Sequence, residues 1–227
     1  MPNYQISVDG YAACGKSTLA RGLADTLGFL YIDSGAMYRG VTLFFLENDI
    51  PFDRSPEPAL LNDIEIEFEH KPGLNDRLLL NGQDVTFNIR SGPVNNHVSL
   101  VAAMPAVRHR LVALQQSYGA RHNVVMDGRD IGTVVFPNAM LKIFLTASIH
   151  TRVHRRMNDA KSADQNLTYE EVKRNLLDRD RIDSTRKDSP LIQAEDAVLI
   201  DNTNLSIEEQ LAMIHTLATL RIDHYDI

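Results

Sequence analysis

The sequence predicts an α/β protein, a three-layer fold with a central parallel sheet between helices. Three observations predict it. Short apolar runs alternate with stretches of helical spacing along most of the 227 residues. The first run leads through Gly10-Tyr11-Ala12-Ala13-Cys14-Gly15-Lys16-Ser17, a G-x-x-x-x-G-K-[ST] loop, directly into an amphipathic helix. One stretch breaks the alternation with a period-2 pattern, as a small antiparallel insert would.

Taken in order, Tyr4 to Val8 reads as a short strand and Asp9 to Gly15 as a turn-rich loop. From Lys16, Leu19, Leu23 and Leu27 recur at helical spacing with Ala20 and Ala24 beside them, and Gly28 suits the C-terminal cap. Phe29 to Ile32 is a second strand, and Ser34 stands where an N-cap belongs for a helix reaching Phe45 or Leu46. Pro51, Pro56 and Pro58 break the pattern. Beyond them Ile64, Ile66 and Phe68 alternate with Glu65, Glu67 and Glu69, Pro72-Gly73 is a turn, Leu78 to Leu80 is a strand, and Asn81-Gly82 favours a two-residue hairpin. Residues 62–92 therefore read as a β insert, with a plain surface excursion as the alternative. Helical spacing returns from Val94 to Tyr118, broken at Pro105. Strands follow at Asn123 to Met126 and Leu141 to Leu145, a charged helical stretch over 149–180, a last strand at Val198 to Ile200, and a helix from Ser206 to Leu220. Ser206 with Glu209 three residues on is a capping box.

Composition narrows the class. Apolar residues make up 44% and charged residues 23%, the proportions of an ordinary globular protein. A chain of this length buries about 70% of its unfolded surface and needs no covalent staple. The net charge of −7 argues against a nucleic-acid coat protein, though not against an anionic ligand held by a local basic cluster. One cysteine, Cys14, cannot form an internal bridge, and no signal peptide or membrane-length apolar run is present, so a cytoplasmic protein is expected. The eight histidines show no structural zinc spacing.

The loop at 10–17 carries the clearest chemistry. Its glycines allow a tight turn in which successive N–H groups face phosphate oxygens, and the following helix adds its positive end. Lys16 places a compact charge on the terminal phosphates, and Ser17 offers a hydroxyl to Mg²⁺. The bland alternative is a glycine-rich helix cap. Cys14, near a helix N-terminus, could be a reactive thiol or simply a small residue that the loop tolerates. Val124-Val125-Met126-Asp127 ends in an acid that could hold Mg²⁺ through water; Asp127-Gly128 is equally an ordinary turn.

Residues 151–188 hold seven arginines, at 152, 155, 156, 174, 179, 181 and 186, and ten basic against eight acidic side chains, a net +2 within a protein of −7. The planar guanidinium fork suits phosphate. The segment reads as a basic flap that closes over phosphates and excludes water, with Arg174 and Arg181 left as solvated surface charges.

Several stretches together resemble the bacterial cytidylate kinases: Asp33-Ser34-Gly35-Ala36-Met37-Tyr38-Arg39, the run from Asp127-Gly128-Arg129-Asp130 to Phe136-Pro137, Lys142-Ile143-Phe144-Leu145, Arg155-Arg156, Ser189-Pro190-Leu191 and Asn204 to Glu208. The likeness spans about residues 4–220. It implies a single P-loop nucleoside monophosphate kinase domain over 1–227. Within it a short helical lid lies at about 153–172, and the β insert enlarges the monophosphate-binding part. It also implies transfer of a phosphoryl group from ATP, with Mg²⁺, to CMP or dCMP. A monomer is expected because no long apolar stripe is left unassigned to the core, and the acidic total and the hydropathy lead us to expect neither a nucleic-acid nor a membrane partner.

By the same resemblance Gly10 to Ser17, Thr18, Arg155 and Arg156 serve ATP. Ser34, Arg39 and Arg129 grip the CMP phosphate, with Tyr38 and Arg90 nearby. Ser99, Arg108 and Asp130 read cytosine, whose N4 amino group donates to a carboxylate while N3 and O2 accept from Arg and Ser. Arg179, Asp183 and Arg186 lie near the ribose and the transferring group, and Lys16, Arg129, Arg179 and Arg186 form the catalytic set. Two departures stand out. Tyr11 replaces a usual proline, which should alter loop stiffness, and the lid lacks an obvious glycine hinge.

Two rivals remain at this point: another small-molecule P-loop kinase accepting UMP or AMP, and a P-loop switch or regulatory ATPase. Asp130 with Arg108 favours cytosine against the first, and an acceptor-phosphate arginine is superfluous to the second. If the loop binds the donor, Lys16→Ala loses several orders of magnitude in kcat in a steady-state assay. Near-normal turnover would remove the assignment of the loop.

Overall fold

The computed structural model describes residues 3–69, 77–162 and 167–225. The chain divides into two compact units: one takes in the chain up to Ile32 and from Gln116 onward, the other runs from Asp33 to Gln115.

In the first unit, strand β1 (Gln5–Gly10) pairs in parallel with β6 (Val124–Gly128) on one edge and β7 (Leu141–Thr146) on the other. Strand β2 (Leu30–Asp33) lies beyond β6, and β8 (Val198–Asp201) pairs in parallel with β7, giving the order β2-β6-β1-β7-β8. Alternation along β1 sorts its two faces. Ile6 and Val8 join the core with Leu19 and Leu23 of α1 (Lys16–Leu27) and Ile214 and Ala218 of α8 (Ile207–Tyr225). Ser7 and Asp9, on the other face, are also buried. Asp9 belongs to the strand and not to the following loop, as the sequence suggested. Its carboxylate accepts from the N–H groups of Ile131 and Gly132 at 2.9 and 2.7 Å and so ties β1 to the single π-helical turn at Ile131–Val135.

Helix α1 ends as expected, at Gly28 with φ 67°, and Ser206 with Glu209 forms the capping box before α8. Helix α6 (Ile149–Ser162) and helix α7 (Tyr169–Thr185) carry the charged segment, and a capping box of Thr168 and Glu171 starts the second. No helix among the described residues is long and apolar enough to cross a membrane.

The second unit is built on α2 (Ser34–Glu47). Its N-cap is Asp33, which accepts from Ala36 N at 2.9 Å, and not Ser34. Asp33 keeps extended dihedrals while Ser34 already sits in the first turn. A short helix α3 (Pro58–Asn62) leads to an antiparallel sheet of β3 (Ile66–Glu69), β4 (Arg77–Leu80) and β5 (Gln83–Asp84). Asn81 and Gly82, both at positive φ, make the expected hairpin turn. The turn expected at Pro72-Gly73 lies outside the described residues. Helix α4 (Gly92–Ala102) packs on α2. The break expected at Pro105 is there: α4 ends at Ala102 and Pro105 starts a separate helix, α5 (Pro105–Arg121).

Near the end of α5 a side chain at Gly119 would place its Cβ 2.5 Å from the ring of the buried Phe136. Gly119→Ala should therefore destabilise the first unit by about 1–3 kcal/mol through overpacking, as read by urea denaturation.

Candidate functional site

Helix α1 begins at a loop whose first residue has no freedom to be anything but glycine. At Gly10 φ is 146°, and a Cβ would stand 2.0 Å from the carbonyl oxygen of Leu145 on β7. The chain then curls around Lys16, which is only 6% exposed and donates from Nζ to the carbonyl of Tyr11 at 2.6 Å. Burial, with the Arg129 charge second, holds the ammonium below its ordinary range. An anion placed in this loop would relieve that deficit. The α1 N-terminus, a positive helix end, adjoins the loop, with Ser17 and Thr18 exposed on its first turn.

Cys14 is not a poised nucleophile. Its side chain is fully buried and Sγ donates to the carbonyl of Tyr11 at 2.9 Å. The Tyr11 ring meets Phe144 edge-on at 5.9 Å and lies 5.3 Å from the Arg152 guanidinium carbon, so packing supplies the stiffness that a proline would have given.

Asp127 lies inside β6, level with Val8 on β1, so it is a strand-end acid and not the first residue of a turn. One carboxylate oxygen accepts from Ser17 Oγ at 2.9 Å, the other from Tyr31 OH at 2.8 Å. Ser17 and Asp127 are hard oxygen donors side by side at the mouth of the loop. They fit Mg²⁺, which takes few protein ligands and keeps its waters.

Four residues assigned to the reaction form a chain of alternating charge. Arg129 donates from Nε to Asp183 at 2.8 Å, Arg186 stands 3.9 Å from the other Asp183 oxygen, and Arg186 donates to Asp130 at 3.2 Å. Arg186 also donates to the carbonyl of Ser189 at 2.8 Å. Burial pushes the Asp183 carboxyl up, but Arg129, Arg186 and the charge of Arg179 outweigh it and hold it below the ordinary value. The site is thus assembled with its guanidinium groups already oriented.

The basic flap needs correction in two places. Arg152 is buried and paired with Asp180 at 2.6 Å. Arg155 is tied to Cys14 O at 3.2 Å and to the side chain and carbonyl of Asn202, each at 3.0 Å. Both are fastened to the loop, while Arg156 sits half-buried one residue on. Arg174 and Arg181 are exposed, as expected.

In the second unit Asp33 gathers Arg39 and Arg90, each 3.9 Å from its carboxylate. Ser34, Tyr38 and Ser99 are buried. Arg108 is 1% exposed; it donates to the carbonyl of Ala102 at 3.2 Å and lies 5.5 Å from the Tyr38 ring centre. A guanidinium is buried only where it is held for a purpose or well compensated.

Sequence reasoning passed over Asp9, Asp180 and Asn202. Burial drives the Asp9 carboxyl up to about 7, against the pull of its two backbone N–H bonds. Asn202 donates to Cys14 O at 2.8 Å and to Gln210 at 2.7 Å. Two signals were readable: an acid in an apolar strand, and an acid continuing the buried stripe Val172, Leu176, Asp180 on α7.

A model of the cytidylate kinase family matches residues 6–219. A cytidylate kinase of Flavobacterium psychrophilum is 46% identical over 219 residues, covering 94% of this chain and 97% of that protein. Cytidylate kinases of Phocaeicola vulgatus and Fusobacterium nucleatum are 48% and 46% identical; they cover 92% and 94% of this chain, and 94% and 96% of their own lengths are matched.

Asp183 sets a pH test. Its folded carboxyl titrates below the ordinary 3.8, so its stabilising contribution is complete above that value and is lost as pH falls through the lowered one. Asp183→Asn should cost about 3–5 kcal/mol at neutral pH, as for a broken buried pair. The gap to the unmodified protein should close below pH 3.8 in denaturant melts.

Proposed function

The chain belongs to the cytidylate kinase family, and from that premise we propose how its residues transfer the γ-phosphoryl group of ATP to CMP or dCMP. The observation that carries the reading is the loop closed on Lys16 with Ser17 and Asp127 at its mouth and the Arg129–Asp183–Arg186–Asp130 chain in the same unit.

The loop from Gly10 to Ser17, with Thr18, holds the ATP phosphates. Lys16 bridges the terminal ones once their charge offsets its burial. Ser17 Oγ and Asp127 would hold Mg²⁺, which when bound would neutralise phosphate charge. Arg155 and Arg156 flank the donor. In the second unit Arg39 and Arg90, with Ser34 and Tyr38 beside them, take the acceptor phosphate, while Ser99 and Arg108 donate to the ring acceptors of cytosine. In the first unit Asp130 accepts from the cytosine amino group and Asp183 from a sugar hydroxyl. Arg129, Arg179 and Arg186 stabilise charge as the phosphoryl group moves. No strong general base is required, because the acceptor phosphate oxygen is already anionic; catalysis is positioning and electrostatics.

A carboxylate facing the amino group of cytosine meets a carbonyl in uracil, and that mismatch rejects UMP. We place the protein as a monomer in the cytoplasm working on free nucleotides, in keeping with its −7 charge and lone buried thiol.

Incubation with ATP and Mg²⁺ tests the reading when CMP, dCMP, UMP, AMP and GMP are offered separately. ADP production should depend on CMP or dCMP. ATP hydrolysis indifferent to all five would point to a switch ATPase instead.

A further inference from the structure

Ala12 sits in the middle of the phosphate loop, and both its backbone polar groups are held by side chains of distant helices. Its N–H donates to one Asp180 oxygen at 3.2 Å, and its carbonyl accepts from Arg152 at 3.3 Å. The other Asp180 oxygen accepts from the same Arg152 nitrogen at 2.6 Å. Its methyl group is buried with Val153 of α6 and Val172 and Leu176 of α7. All three faces of one loop residue are therefore engaged by the same pair of helices.

A buried Arg–Asp pair joining two helices could spend its hydrogen-bonding capacity on itself, in a two-pronged bond. This one does not. A single Arg152 nitrogen meets Asp180, and both partners turn toward the Ala12 backbone. The next residue, Ala13, has φ 58°, a left-handed conformation that disfavours alanine and persists only where neighbours impose it. Fixing the Ala12 peptide fixes the entry to that turn. It also settles which donors are available: the Ala12 N–H already serves Asp180, so the cradle for phosphate starts at Ala13.

We propose that Arg152 and Asp180 are positioning residues for ATP. They seat the loop on α6 and α7 through Ala12, hold Ala13 in its left-handed turn, and thereby aim the N–H groups from Ala13 onward. The inference rests on the loop being the ATP cradle, but not on the identity of the acceptor.

The test uses the full chain, with ATP and ADP affinities measured by calorimetry beside the KM values for ATP and CMP. Asp180→Asn keeps an acceptor and the side-chain shape but removes the charge that orients Arg152. Arg152→Lys keeps the charge but cannot span Asp180 and the Ala12 carbonyl as the guanidinium does. Each should weaken ATP binding by about ten- to a hundredfold, as misplaced groups do, with the KM for CMP little changed. Glycine enters the left-handed region without penalty, so adding Ala13→Gly to Asp180→Asn should recover much of the lost affinity. Unchanged ATP affinity in both variants overturns the proposal. Equal losses for ATP and CMP, or no recovery with Ala13→Gly, mark a merely structural pair and overturn it too. If the unmodified chain binds no ATP, it is the reading of the loop that fails.

Discussion

Strand β1 is hydrogen-bonded on both edges, and at its C-terminal end Gly10 passes the carbonyl of Leu145 with no space for a side chain. That close approach fixes where the backbone leaves the sheet, and most of the chemistry in the first unit is placed relative to it. The register sets Asp127 on the neighbouring strand two residues short of Gly10, within reach of Ser17 at the start of α1. Asp9, just before the exit, holds Ile131 and Gly132 and so anchors the segment that follows Arg129 and Asp130. A shift of one residue in β1 would turn Asp9 into the core and scatter these groups.

The second organising principle is charge held in place before any substrate arrives. Lys16, Arg129, Arg152, Arg155 and Arg186 each contact an oxygen of the protein, from a carbonyl or a carboxylate. Such groups need little reorganisation when phosphates enter, which is how fixed dipoles and charges lower a barrier. Acids interleaved with them, Asp183 above all, offset the repulsion between neighbouring arginines.

What the sequence revealed, and what it hid, follows from distance along the chain. The loop, the caps at Gly28 and Ser206, and the Asn81-Gly82 hairpin are local, and each was legible from a few neighbouring residues. The parallel sheet was legible from the alternation of strands and helices. Hidden were groups whose partners lie far away: Asp180 reaches Ala12 across 168 positions, Asn202 reaches Cys14 across 188, and Asp9 reaches Gly132 across 123. Spacing on a helix gave Arg108 and Arg152 no mark of burial, because a long charged side chain looks the same in a sequence whether it is solvated or clamped. Two local readings shifted by a residue or so: Ser34 for Asp33 as the cap of α2, two adjacent residues that are both good caps, and Asp9 as loop where β1 runs on to Gly10.

The thiol of Cys14 is buried in the main core of the first unit, in one cluster with Ile6, Val8, Leu19 and Leu145, and Sγ donates to the carbonyl of Tyr11. A buried thiol reacts only after its surroundings open, so the rate at which an alkylating reagent reaches Cys14 reports the opening of this core and not the chemistry of the thiol.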